Sequence, residues 1–161
     1  MSIDPEDLRR VMRQWATGVT LVTCAKGEER QGMTVSSFTS VSLTPPIVLV
    51  SLEINSATHA IITQAGSFAI SILAEDQQAL SDRFAGRDPS VSDRFLGGLW
   101  EASTLGHPIP HGALACLDCQ VSATHPGGTH TLFLAEVLTA RSLNAGRPLL
   151  YFDRSYRQLD E

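Results

Sequence analysis

Apolar positions recur at helical spacing near the start of the chain and otherwise fall mainly in short alternating or β-branched runs. Leu8, Val11, Met12 and Trp15 share one face, with Arg9, Arg10, Arg13 and Gln14 opposite, which predicts an amphipathic helix. Asp4-Pro5-Glu6-Asp7 supplies its start: a capping side chain, a proline suited to the first helical position, and acids at the positive end of the helix dipole. Gly18 is the expected stop, and the apolar stripe is expected to cover one end of a sheet. Strands are predicted over 19–25, from the turn at 26–29 to about Phe38, and over 47–52, 67–73, 113–124, 129–142 and 148–153. Two further helices are predicted, one opening at Ser56 and running to about Thr63, the other over 75–85. Thr44-Pro45-Pro46 should interrupt the backbone ladder, residues 88–105 read as a loop, and His107-Pro108-Ile109-Pro110-His111 reads as irregular. Parallel strand–helix alternation is not sustained, so the expected class is mainly β: an antiparallel barrel with a few appended helices, in a single domain over 1–161.

Composition narrows the function. With 43% hydrophobic and 18% charged residues the chain reads as globular, and 161 residues suffice for a sizeable core. A net charge of -5 disfavours a nucleic-acid partner, which normally needs a basic face. No apolar run is long enough for a membrane span, and the acidic start does not resemble a signal peptide, so a cytoplasmic location is expected. The three cysteines agree, being odd in number and expected to stay reduced there. Cys116 and Cys119 spell a Cys-x-x-Cys, but on a strand they point to opposite faces, which argues against a redox pair or zinc knuckle. His107 and His111 lack acidic or cysteine partners nearby in sequence, so no metal is expected.

The candidate chemistry lies in the stretch 31–55. Thr34, Ser36, Ser37, Thr39, Ser40 and Ser42 place six hydroxyls in nine residues, followed by an apolar run at 47–50. Such hydroxyls, each a donor and an acceptor, suit a wall that bonds a polar ligand; an ordinary hydroxyl-rich edge strand and turn fits the same residues. A helix opening at Ser56 just after a strand presents free N–H groups to an anion such as phosphate, or is simply capped. There is no Gly-x-Gly-x-x-Gly after a strand, no P-loop and no nucleophile elbow. An enzyme built from this chain is therefore expected to take its chemistry from a bound cofactor.

Together these motifs resemble the short-chain flavin reductases, the reductase components of two-component flavin-dependent monooxygenases. The resemblance runs from Trp15-Ala16-Thr17-Gly18-Val19-Thr20, where the family usually has Phe for Trp15, through Gly32-Met33-Thr34-Val35-Ser36-Ser37-Phe38-Thr39-Ser40-Val41-Ser42-Leu43 and Pro45-Pro46. It continues through Asn55-Ser56-Ala57-Thr58-His59 and Gly128-Thr129-His130 to Pro148-Leu149-Leu150-Tyr151-Phe152 and Tyr156. It implies an antiparallel Greek-key split β-barrel and an NAD(P)H:flavin oxidoreductase that passes hydride from NADH or NADPH to FMN or FAD. A flavin-binding split barrel without reductase activity is the alternative.

Residue by residue, the resemblance implies that Thr34, Val35, Ser36 and Ser37 line the flavin ring and ribityl chain. It implies that Ser40, Val41 and Ser42 meet its polar edge or phosphate, that Ser51, Leu52, Asn55, Ser56 and Thr58 hold the phosphate end, and that Phe84 and Ala85 close it. His130 is the implied catalytic residue and, with Tyr156, the implied contact to the nicotinamide substrate. The family has Gly-Asp-His there, whereas this chain has Thr129 before His130. The implied partners are a second copy in a homodimer and a flavin-dependent monooxygenase that receives reduced flavin.

Overall fold

The computed structural model describes residues 2–87 and 90–159. Its elements in order are α1 (Pro5–Met12), β1 (Thr17–Gly18), β2 (Thr20–Lys26), β3 (Glu29–Val35), β4 (Thr39–Leu43), β5 (Pro46–Glu53), α2 (Ala57–Ala65) and β6 (Ser67–Ile72). There follow α3 (Gln78–Phe84), β7 (Trp100–Ala102), β8 (Pro108–Pro110), β9 (Ala115–Gly127), β10 (His130–Ser142), β11 (Leu150–Phe152) and β12 (Ser155–Arg157). Every pairing is antiparallel. The main sheet has seven strands in the order β3-β2-β6-β9-β10-β5-β4, beside a three-stranded sheet β1-β11-β12 and the pair β7-β8.

The two edge strands of the main sheet, β3 and β4, are neighbours in sequence. Only Ser36, Ser37 and Phe38 separate them. Three linking residues bridge at most about 14 Å between the flanking Cα atoms. A seven-stranded sheet can bring its edges that close only by curling on itself. The result is a barrel closed by a covalent link and left unpaired at that seam, a split barrel. Ser37 secures the seam, since its hydroxyl donates to Ser51 O at 2.8 Å and accepts from Ser51 N–H at 3.2 Å.

The barrel interior holds Val22, Val50, Leu52, Phe68, Ile70 and Phe133, plugged by Ile61 and Ile62 of α2. A second cluster, Val19, Leu21, Leu73, Phe84, Phe95 and Leu149, packs α3 and the segment around residue 95 against other elements. β2 contributes Val22 to the first cluster and Leu21 to the second, which is why residues 20–24 are buried without alternation. Cys116 and Cys119 fall in different clusters, as strand alternation requires.

Several local expectations differ from the structure. Helix α1 starts as expected, with Asp4 Oδ1 accepting from Glu6 N–H at 2.8 Å, but it ends at Met12 because Thr17 and Gly18 pair with β11. Its stripe does not cover a sheet: Leu8, Val11, Met12 and Trp15 are all exposed, Trp15 at 67%. The proline-rich 107–111 is not irregular. Ser103 N–H donates to His107 O and His111 N–H to Leu99 O, leaving Pro108 and Pro110 at positions where the ladder needs no N–H. Pro46 opens β5 opposite Leu43, so the double proline forms the β4–β5 turn and does not separate the strands. Of the expected loop 88–105, Asp88 and Pro89 lie outside the described residues, and Trp100–Ala102 is strand. No helix among the described residues is long and apolar enough to cross a membrane.

Candidate active site at the barrel seam

The seam link is the centre of a group of cavities. Cavities of about 470 and 540 Å³ are both lined by Thr17, Ser36 and Ser37. One of about 150 Å³ is lined by Thr34, Val35, Ser36, Ala85 and Tyr156. Another, of about 560 Å³, has Met33 on one wall and Ser56, Ala57 and Thr58 on another. The five consecutive residues Met33 to Ser37 thus contribute to all four.

Local structure explains how these residues are held. Gly32 lets the Phe84 ring lie against β3, since a Cβ there would stand 2.8 Å from the ring. Thr34 Oγ1 donates to Ser81 O of α3 at 2.7 Å, and Tyr156 OH donates to Asp82 Oδ1 at 2.9 Å while accepting from Ser81 Oγ at 2.8 Å. Burial pushes the Tyr156 phenol up; the Ser81 hydrogen bond opposes this and Asp82 adds to it. Arg87 crosses over both Tyr151 and Tyr156, 5.6 and 5.5 Å from their ring centres, and bonds Tyr151 OH at 3.0 Å and Asp82 at 2.7 Å. These contacts fix one wall of the 150 Å³ cavity.

The 560 Å³ cavity has charged and dipolar walls, with Arg30 and Arg94 set against Glu28 and Asp93. Ser56 caps α2, its Oγ accepting from His59 N–H and donating to Glu53 O. Ala57 and Thr58, first-turn residues whose N–H groups have no partner within a helix, line the cavity. Arg30 and Arg94 line the same cavity, Arg30 lying 4.6 Å over the Phe95 ring and 3.3 Å from Asp93. The 560 Å³ cavity, beside the start of α2, can hold an anion; the 470 Å³ cavity, lined by Trp15, Val19 and Phe38, offers apolar surface.

The residues named from the sequence fall in different places. Thr34, Val35, Ser36, Ser37, Ser56, Thr58, Ala85 and Tyr156 line the cavities. Ser51 is joined to the seam through Ser37. Leu52 and Phe84 are at 0% and 1% exposure, so their side chains serve the packing and offer no surface to a ligand. Ser40, Val41 and Ser42 lie on the exposed edge strand β4, Asn55 in the turn after β5, and none of the four lines a described cavity. His130 opens β10 opposite Glu53, with Nδ1 2.9 Å from Thr129 Oγ1, and shares no described cavity with Tyr156.

The hydroxyl wall is largely spoken for within the chain: Thr34, Ser37 and Ser56 donate to backbone carbonyls, and Ser42 Oγ accepts from Thr44 N–H. Ser36 remains without such a partner while facing three of the cavities. Sequence reading missed the arginines of the cleft, Arg9, Arg13, Arg30, Arg94 and Arg154. They are scattered through the chain, and only the fold gathers them.

Comparison with known proteins agrees with this architecture. The family described as flavin reductase like domain matches residues 12–160. The reductase subunit HsaB of a flavin-dependent monooxygenase from Rhodococcus jostii is 37% identical over 159 residues, covering 99% of this chain and 80% of that protein. An NADH-dependent FAD reductase from Streptomyces globisporus is 40% identical over 162 residues, covering 97% of this chain and 88% of that protein. Among solved structures, the Streptomyces globisporus NADH:FAD oxidoreductase SgcE6 in complex with NAD and FAD fragments superposes with a TM-score of 0.89 at 38% identity. That match covers 99% of this chain and 97% of the other.

Proposed function

This chain belongs to the flavin reductase like family, and from that premise we propose that it is an NAD(P)H:flavin oxidoreductase whose seam cleft binds the flavin. The observation that carries the reading is the seam itself: one unpaired junction whose link, with the end of β3, walls every large cavity near it. An amphipathic ligand with a flat ring at one end and a phosphate at the other suits a seam whose separate cavities are apolar near Val19 and Phe38 and dipolar at α2.

When bound, the nicotinamide C4 supplies a hydride and the flavin N5 accepts it, so no strong acid or base is asked of the chain. The protein's task is to hold the two rings within roughly 3–3.5 Å. Ser36 supplies a free hydroxyl at the ring end, and the N–H groups of Ala57 and Thr58 meet the phosphate. Thr34, Val35 and Ser37 shape the wall, and Ser51 fixes Ser37. Ala85 and Tyr156 bound the small cavity beside the ring. His130 would reach the nicotinamide from the β9–β10 hairpin. Both FMN and FAD are consistent with this assignment, as are NADH and NADPH. Relatives that are reductase subunits of monooxygenases support a monooxygenase as recipient of the reduced flavin. A homodimer is supported by exposed apolar side chains on α1 and β4, among them Leu8 at 51% and Leu43 at 86%. Three free, buried cysteines accord with a cytoplasmic setting.

Anaerobic mixing of the chain with NADH or NADPH and FMN or FAD should bleach the flavin at a rate that scales with protein. Ser36→Leu should weaken flavin binding. A chain that bleaches neither flavin with either nicotinamide refutes the assignment.

A further inference from the structure

The 540 Å³ cavity beyond Ser36 and Ser37 has features that an isoalloxazine does not require. It lies between the end of α1 and the β11–β12 turn, which are tied by Asp153 N–H donating to Arg13 O at 3.2 Å. Arg9, Arg13 and Arg154 line it, against one lining carboxylate, Asp153. Arg9 is paired with Glu6. Arg13 Nε is buried with no hydrogen-bond partner, and Arg154 makes no ion pair or hydrogen bond among the described residues. A buried guanidinium N–H without an acceptor is rare in folded proteins and marks Arg13 as a side chain whose hydrogen bonds the described residues of the chain do not complete. Asp153 and Arg154 both have left-handed backbone, φ 46° and 62°, an uncommon conformation for such residues that sets the turn bearing Arg154. Trp15, 67% exposed, lines the same space and offers a flat face.

Planar guanidiniums match phosphate oxygens in paired geometry, and an exposed indole suits a stacked base. The volume lies within the range of about 300–1,000 Å³ common for small-molecule sites. We propose that this cavity takes the adenosine diphosphate half of a dinucleotide, with Arg13 and Arg154 on the pyrophosphate and Trp15 on the adenine. The inference rests on the flavin-reductase reading for its sources, which are two: the adenylate of FAD, or that of the nicotinamide dinucleotide approaching a flavin already in the cleft.

The test uses Arg13→Met, Arg154→Asn and their combination. Asn tolerates the left-handed backbone, and the exposed Arg154 has no partner to lose, so that variant should fold as the parent does. ADP, titrated calorimetrically, should bind the parent chain and bind the double variant about tenfold or more weakly. If the source is FAD, the FAD dissociation constant rises by a similar factor while that of FMN does not follow. If it is the nicotinamide dinucleotide, the NADH KM rises with FMN as acceptor. Failure of ADP to bind the parent, or FAD affinity and NADH KM both within about twofold of the parent in a folded double variant, overturns the proposal. A parent chain that still bleaches FMN would then leave the reductase assignment standing. A parent that bleaches no flavin sinks that assignment, while the ADP titration still decides the cavity.

Discussion

Replacing Gly32 by Ala tests how the wall of the cleft is held. Gly32 stands opposite Thr23 in the β2–β3 ladder and its backbone is not left-handed, so alanine there meets no backbone strain. Considered alone, the exchange should stabilise by about 0.5–1 kcal/mol, because glycine has more chain freedom to lose. The added Cβ, however, would lie 2.8 Å from Phe84 Cε1, 3.0 Å from Cδ1 and 3.2 Å from Val22 O. The carbonyl belongs to the sheet and cannot yield. The ring is boxed in by Phe95 and Trp100, whose ring centres lie 5.0 and 5.6 Å away. Such overpacking typically costs about 1–3 kcal/mol, so after the offset the net loss should centre near about 1 kcal/mol and reach at most about 2.5 kcal/mol. For a domain of this size each kcal/mol lowers the melting temperature by roughly 2–4 °C. Because α3 carries Phe84 and also accepts the Thr34 bond at Ser81, flavin affinity should fall with it. Thermal melts and flavin titrations of Gly32→Ala, Phe84→Leu and the double variant give a full cycle. The double variant should lose less stability than the sum of the singles, by at least about 0.5 kcal/mol. A melting temperature equal to or above the parent's, with additive singles, would show that the ring does not press on β3.

Three shorter expectations follow from the interior. Burial holds the His107 imidazole below its ordinary 6.5, against an opposing pull from Asp118, while its Nδ1 accepts from Ala25 N–H at 3.1 Å. The folded state then binds fewer protons than the unfolded one, so unfolding free energy should drop as pH falls through 6.5, and the slope should flatten in His107→Gln. Asp118, 2% exposed, accepts from Ser103 Oγ at 2.5 Å, Thr104 N–H at 2.9 Å and Thr139 Oγ1 at 3.1 Å. Asp118→Asn turns an amide NH₂ on those donors and should cost about 1–3 kcal/mol in denaturant titration; an unchanged midpoint would contradict the network. Burial pushes the Cys24 and Cys119 thiols up to about 12, so neither should react with a thiol reagent at mildly alkaline pH until denaturant is added.

Sequence alone was enough wherever the determinant is local. Asp4 and Pro5 start α1, Ser56 caps α2, and strand alternation sends Cys116 and Cys119 into separate clusters; each depends on a few neighbouring residues. The hydroxyl-rich stretch could be marked as candidate chemistry from its spacing, and residues 34–37 of it do reach the cleft. Its other half, Ser40 to Ser42, lies on an exposed edge, because only the sheet order decides that β4 is terminal. The fate of the α1 stripe was likewise hidden, since amphipathicity shows which residues share a face but not whether anything packs on it. Tertiary structure alone decided the seam and the arginine-lined space beside it. Arg13 and Arg154 are separated by most of the chain and meet only because β1 pairs with β11, a long-range register that no local pattern encodes.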